Sequence, residues 1–422
     1  MREDEAREFL TRLFDAAVRA ADPVAALAPR LPAKPPGRTV VIGAGKGAAQ
    51  MGAAFEELWH APVEGTIVTR HGHAVPCRHL RVLEAAHPVP DAAGLAAGAA
   101  LLEAVSGLTA DDLVVALICG GGSALLPAPP QGLALEDEQA LNAALLASGA
   151  PISAMNAIRK QVSRIKGGRL AAAAHPARVV TLVVSDVPGD DPAEVASGPT
   201  IPDGRDRALA RRLAETWRIA LPDRVAAFLR EAPEDAPGPD DPAFARDETH
   251  VVASAAISLE AAATAAEAAG LRAVILSDAM EGEAREVGSV HAAIAREVAL
   301  RDRPFGKPVV ILSGGETTVT LGANGGRGGR NTEFLLSLAL GIDGHAGVTA
   351  LAADTDGIDG TERNAGAFAD GGSAARMRGV GLDPAGLLAR HDAWAAFDAV
   401  DDLYAPGPTG TNVNDFRAIL IR

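Results

Sequence analysis

The chain has 422 residues, 48% of them hydrophobic, and sets 54 acidic against 39 basic side chains for a formal net charge of −15. That length predicts two or three domains with sizeable cores, and the acidic balance excludes nucleic-acid binding as a general property, because such binding needs a basic surface. Cys77 and Cys119 are the only cysteines, which excludes a disulfide framework and a multi-cysteine zinc site. No apolar run approaches the ~20 residues of a membrane span, and the N-terminus MREDEAREFL has no secretory core. The expectation is a cytoplasmic protein without a membrane or nucleic-acid partner.

In chain order the pattern is strand, glycine-rich turn, helix, repeated. An apolar strand over 38–42 leads into Gly43-Ala44-Gly45-Lys46-Gly47 and a helix-like AAQMGAAFEELW. Strands follow over 65–69 and 82–85, the second leading through HPVPD into an alanine-rich helix. A further strand over 113–119 enters Gly120-Gly121-Gly122-Ser123. The run SAMNAIRKQVSRIKGGRL, 153–170, reads as a helix whose Arg159, Ser163 and Lys166 share a solvated face. Another strand, 179–185, ends at Asp186. Four prolines among acids over 231–246 read as a linker or long loop. Beyond it come a strand over 250–254, a helix over 255–269, and strands over 271–276, 309–312, 348–353 and 416–421. A polar β-like run is expected after Ser313-Gly314-Gly315-Glu316. This alternation predicts an α/β fold with a largely parallel, doubly wound sheet, in which ligands collect at the carboxyl ends of strands. The boundaries are placed at 1–240, 241–304 and 305–422, with the first helix free to pack on either domain.

The turns carry the chemistry. GAGKGA fits the dinucleotide fingerprint G-x-G-x-x-[G/A], and Arg70 after the next strand suits an NADP 2′-phosphate. Lys46 is unusual inside such a loop, and no Walker A motif is formed because Gly47 follows it. Lysine is rare here (Lys34, Lys46, Lys160, Lys166 and Lys307 are all there are), so a lysine in a motif marks a compact point charge. Gly121, Gly122 and Ser123 form a second strand-to-helix turn able to cradle an anion. Gly325 to Arg330, GGRGGR, joins backbone freedom to two guanidinium forks suited to phosphate or carboxylate. Two acidic loops end strands, SDVPGDD at Asp186 and DTDGIDG at Asp356, and suit Mg²⁺ or a general base. The second is not an EF-hand, because Ile358 falls at a ligand position. His71, His73 and His87 lack the partners of a metal site and are expected to have no ligand role.

Taken together, IGAGKGAAQM, ICGGGSALL, NAIRKQVSRIKGGRLA, LVVSDVPGDDPAEVASGPTIPD, LSGGETTV, GGRGGRNTEF, AADTDGIDG and GPTGTNVND resemble the bacterial and archaeal glycerate 2-kinases of the MOFRL type, proteins often labelled hydroxypyruvate reductases. The resemblance runs in order from about residue 5 to the C-terminus. It implies a Rossmann-like three-layer N-terminal domain, a smaller α/β C-terminal domain with a mixed sheet, and an active site in the cleft between them. The implied reaction is ATP-dependent phosphorylation of D-glycerate at its 2-hydroxyl, with Mg²⁺. Carried over by motif, Lys46, Asp186, Arg330 and Asp356 are the catalytic candidates, Asp186 and Asp356 also the metal ligands. Gly43, Gly45, Gly47, Gly121, Gly122, Ser123, Glu316 and Asn412 are the substrate- and nucleotide-binding candidates. Two other readings stay open: an NAD(P)H-dependent hydroxypyruvate reductase, supported by GAGKGA with Arg70, and a non-catalytic binding protein on the same scaffold. The sequence does not fix whether the chain forms a homo-oligomer.

Overall fold

The computed structural model describes residues 2–232, 236–321 and 325–422. Residues 233–235 of the expected linker and 322–324, just before the GGRGGR motif, lie outside the described residues. The chain divides into two compact units, Pro23–Val252 and the residues up to Asp22 together with Ala253–Arg422.

The unit Pro23–Val252 holds a six-stranded sheet of β1 (Thr39–Ala44), β2 (Glu64–Arg70), β3 (Arg81–Ala85), β4 (Leu113–Cys119), β5 (Arg178–Val184) and β6 (Glu248–Ala253), in the order β3-β2-β1-β4-β5-β6. β1 pairs in parallel with β2 and β4, β2 with β3, and β4 with β5. Every residue of β1 and β4 is buried, and both read as unbroken apolar runs, the signature of strands covered on both faces. Val40, Ile42, Val114, Ala116 and Ile118 pack with Ala97 and Leu101 of the helix Ala92–Ala104. Asp91 caps that helix by accepting the Gly94 N–H at 2.8 Å. The chain runs outward from β1 through β2 to β3, then returns to lay β4 on the other side of β1. The β1/β4 junction is therefore a topological switch point, where the turns after the two strands diverge and leave room for a ligand.

The second unit holds β7 (Arg272–Met280), β8 (Val309–Gly315), β9 (Val348–Asp354), β10 (Gly366–Asp370), β11 (Leu403–Tyr404) and β12 (Asp415–Ile421), ordered β11-β10-β9-β12-β8-β7. Only β7 and β8 pair in parallel; the other pairings are antiparallel, so the sheet is mixed. One face packs on the helices Glu3–Ala20 and Ala255–Ala268, the other on Ala284–Arg301 and Arg330–Gly341. Phe9, Leu10, Leu13 and Phe14 of the first helix are at most 1% exposed, each contributing roughly 1.5–3 kcal/mol of burial. The N-terminal helix thus belongs to the second unit.

Local pattern and structure differ in four places. The units meet the chain at 22/23 and 252/253, and no separate segment spans 241–304, because β6 completes the first sheet while β7 pairs with the downstream β8. The expected helix over 153–170 is two helices, Ile152–Gln161 and Arg169–Ala174. Its expected solvated face is largely buried: Ser163 is 3% and Lys166 2% exposed, and Lys166 pairs with Glu138 at 2.7 Å. The polar run after Glu316 forms only a bridge between Glu283 and Thr318. Non-local pairing decides each case, and periodicity within a window does not register it.

Candidate active site

Functional side chains gather at the carboxyl end of the first sheet. After β1 the chain turns through Gly45, at φ +138°, where a Cβ would strike Cys119. The turn fixes Lys46, whose backbone N–H donates to Gly120 O at 2.9 Å. After β4, Gly121 has φ +80°, and a Cβ there would lie 2.9 Å from Lys46 Cγ and 3.3 Å from His87 Nε2. The lysine stem and the His87 ring therefore lie together over the turn. A Cβ on Gly120 would collide with the Asp186 carboxylate, so the acid following β5 stands against the same turn. Burial pushes the Cys119 thiol up to about 12; the Gly47 N–H and Lys46 oppose the shift, and Asp186 reinforces it. Burial also lowers the His87 pKa, with Lys46 and Arg70 adding to the effect.

Here the structure revises the roles drawn from the glycines. Gly43 lies inside β1, its Cβ position 2.6 Å from Ile67 Cδ1. The Gly45 N–H donates to Val68 O at 3.1 Å, and the Gly47 N–H to Cys119 Sγ at 3.2 Å. The donors a dinucleotide pyrophosphate would need are thus engaged within the protein, and the loop offers an ammonium in place of a backbone cradle. Gly122 opens the short helix Gly122–Leu125 and leaves room for Ala196 Cβ, 2.7 Å from where its own would stand. The Ser123 hydroxyl meets Ser197 Oγ at 2.9 Å, and Ser197 in turn donates to Asn156 Oδ1 at 3.0 Å. Asn156 donates to Glu194 at 2.8 Å, and Glu194 pairs with Lys160 at 3.5 Å. Ser123 thus anchors the turn to a buried polar chain.

The second unit carries a cluster of the opposite sign at the ends of three central strands of its sheet. Asp415 stands in register with both Gly315 and Asp354, so the ends of β8 and β9 meet the start of β12. Arg330 opens the helix Arg330–Gly341 and donates to three carboxylates: Nε to Asp415 at 2.6 Å, Nη2 to Asp354 at 2.6 Å and Nη1 to Glu316 at 2.7 Å. Asp415 and Asp354 side chains are 0% and 6% exposed, Glu316 55%. Burial works against the guanidinium charge, yet the three acids outweigh it and hold Arg330 above the ordinary arginine value. The Asp354 carboxyl is raised well above its usual range by burial, and Asp356 and Asp415 raise it further against Arg330. Asp356 accepts the Ile358 N–H at 2.8 Å. Asn412 is exposed and accepts the Asn414 N–H at 3.1 Å, an Asx turn ahead of β12 away from the Arg330 contacts. Asp359 is fully buried and accepts the N–H groups of Asn331 and Thr332, both at 2.9 Å, and so caps the helix that presents Arg330.

Among the described residues no three His, Cys, Asp or Glu side chains are grouped to hold a metal ion. Asp354, Asp415 and Glu316 already neutralise Arg330. Asp186 in the first unit and Asp356 in the second each present a hard carboxylate oxygen, the donor type that Mg²⁺ takes in ones or twos from a protein. Sequence reasoning set His87 aside and did not single out Asp354, Asp415, Asp359 or Arg417. HPVPD directly after a strand, and the aspartate pair of DTD at a strand end, were the available signals.

A lysine beside a carboxylate at the switch point of one sheet, and an arginine fixed among carboxylates at the strand ends of another, define a class of α/β proteins built to handle small anionic ligands. Profile comparison matches a domain of unknown function (DUF4147) to residues 9–230 and the MOFRL family to residues 309–415. A relative from Agrobacterium vitis named as a hydroxypyruvate reductase is 53% identical over 418 residues, covering 99% of this chain and 94% of that one. The D-glycerate 2-kinase of Thermotoga maritima is 38% identical, covering 91% of each chain. The crystal structure of a glycerate kinase from Thermotoga maritima superposes with a TM-score of 0.91 at 35% identity, over 99% of this chain and 100% of that one. The chain belongs to the MOFRL-type glycerate 2-kinase family.

Proposed function

We propose that the protein transfers the γ-phosphoryl group of ATP to the 2-hydroxyl of D-glycerate, giving 2-phosphoglycerate, with Mg²⁺ as the accompanying ion. The observation that carries this reading is the placement of Lys46 and Asp186 against one glycine turn at the switch point of the parallel sheet. Phosphoryl transfer asks for little covalent chemistry from the protein; it asks for positioning and neutralisation of charge. Lys46 supplies a cation for the transferring phosphoryl group or the glycerate carboxylate. Arg330 does the same from its acid frame. Asp186 or Asp356 orients the 2-hydroxyl and accepts its proton, or holds the ion. Glu316 and Asn412 position substrate or nucleotide, and the His87 ring is a hydrogen-bonding group beside Lys46. When bound, Mg²⁺ supplies charge neutralisation between the phosphates. No helix among the described residues is long and apolar enough to cross a membrane, and the cytoplasm, where ATP is held, is the proposed compartment.

The reductase name borne by some relatives does not carry over. The GAGKGA donors face inward, and a hydride transfer has no use for the acid-framed arginine. Two assays on one preparation separate the readings. ADP release that requires ATP, D-glycerate and Mg²⁺ together, and stops with EDTA, supports the kinase. NADPH oxidation by hydroxypyruvate without ADP release would overturn it. Asn variants of Asp186 and Asp356 with unchanged Mg²⁺ dependence would remove both from the metal role.

A further inference from the structure

We propose that Arg327, the first arginine of the GGRGGR loop, is a positioning residue: it clamps the loop to the segment 390–394 and thereby sets the guanidinium of Arg330. The inference rests on the reading that Arg330 serves the reaction.

The two arginines lie three residues apart and do different things. Arg330 turns into Asp354, Asp415 and Glu316. Arg327 turns away from them. Its Nε and Nη2 grip the two oxygens of Glu362 at 3.2 and 2.6 Å, and its guanidinium carbon lies 3.6 Å from the centre of the Trp394 ring. This side chain is occupied as a planar fork and as a stacked cation at once, a combination lysine does not reproduce.

The backbone closes the clamp. Gly326 N–H donates to Arg390 O at 3.0 Å, Arg327 N–H to Asp392 Oδ1 at 3.2 Å, and Trp394 N–H to Arg327 O at 3.0 Å. From there the chain passes to the helix without slack. Gly329 N–H donates to Thr332 Oγ1 at 3.0 Å, and Asp359 accepts the N–H groups of Asn331 and Thr332. On the helix's first turn, Glu333 meets His391 Nδ1 at 2.9 Å, so the segment 390–394 grips the loop and the turn it feeds. The Arg327 side chain is 56% exposed, so its loss spares the core. The expected loss is one of alignment, to which transfer chemistry is sensitive: displacement of a catalytic group by about 1 Å costs up to ~100-fold.

The test compares Arg327→Ala, Arg327→Lys, Glu362→Gln, Trp394→Ala and Arg330→Lys in the full-length protein, by melting temperature and by kcat and KM for D-glycerate and for ATP. The expected result is a melting temperature within about 4 °C of the parent for Arg327→Ala and a kcat about tenfold or more lower. Arg327→Lys recovers only part of that loss. Glu362→Gln and Trp394→Ala lower kcat in the same sense, and each combined with Arg327→Ala adds little, since all act through one clamp. An Arg327 that touched substrate would behave otherwise: Glu362→Gln would free its guanidinium and lower a substrate KM while Arg327→Ala raised it, and that pattern overturns the proposal. Parent-like kinetics in Arg327→Ala beside a damaged Arg330→Lys overturns the clamp alone. Parent-like kinetics in Arg330→Lys overturns the reading of Arg330, and the clamp's role falls with it.

Discussion

The two sheets end in clusters of contrasting electrostatics. At the switch point of the first sheet, Lys46, Arg70 and the depressed His87 gather over glycine turns, with Asp186 beside them. At the ends of central strands of the second, one guanidinium is shared by three carboxylates, two of them buried. The first cluster is shaped by what glycine leaves empty, and its lysine is held mainly by its stem and backbone. The second is a charge-compensated frame, rigid because removal of any buried member strands a partner. Lys46 and Arg330 are thus held by different means.

The sharpest way to break this contrast is Asp415→Ala. It strips Arg330 Nε and Asn331 of their acceptor and leaves Arg417, 0% exposed, without its carboxylate. A loss of roughly 3–5 kcal/mol in unfolding free energy is expected, read by denaturant titration. Lys46→Met is the counterpart in the first cluster. It keeps an aliphatic stem over Gly121 and removes the charge, so kcat/KM should fall ~100- to 1,000-fold with no change in melting temperature. If both variants damaged stability alike, the contrast would be lost.

A pH prediction follows from His291. Burial lowers its pKa to about 4, the ring lying between Val287 O at 2.8 Å and Ser313 Oγ at 3.0 Å. A folded pKa below the unfolded value means the folded state resists protonation. The stabilisation is therefore whole above pH 6.5 and is lost as pH falls toward 4, by about 3 kcal/mol at the limit. Asp247, beside β5 in the first unit, runs the other way: burial raises its carboxyl to about 6, so its burial weighs least against folding as pH falls below that value. Unfolding curves between pH 7 and 5 should flatten in His291→Gln if the assignment holds. The smallest effect belongs to Glu316→Gln. The pair it breaks is 55% exposed on the acid side, and exposed pairs contribute about 0–1 kcal/mol. Its melting temperature should stay close to the parent, in contrast with Asp415→Ala.

Much of this was legible from local pattern. The apolar run 113–119 is a buried strand in both readings, and the turns at Lys46 and Gly121 lie at strand ends as the alternation predicted. What pattern missed was settled by distant pairing. Lys166 read as solvated on a helical face with Arg159 and Ser163, yet it is buried against Glu138, remote in sequence. Arg417 lies in the expected C-terminal strand, and it is buried there because Asp415 and Thr317 receive it. β10 and β11 are short and lack alternation, and only the edge left by β9 makes them strands. His87 carried no recognisable spacing; its place over Gly121 exists only once β3 and β4 share a sheet. The GGRGGR loop looked like one anion site with two arginines, and folding sends Arg330 to Asp354, Asp415 and Glu316 and Arg327 to Glu362 and Trp394.

The most direct test of the central claim is phosphorus NMR of the product formed from ATP, Mg²⁺ and D-glycerate by the purified protein. The account predicts a 2-phosphoglycerate resonance, absent with Lys46→Met at matched enzyme and time. A 3-phosphoglycerate resonance in its place would contradict the assigned acceptor oxygen, and no phosphorylated product at all would contradict the kinase reading itself.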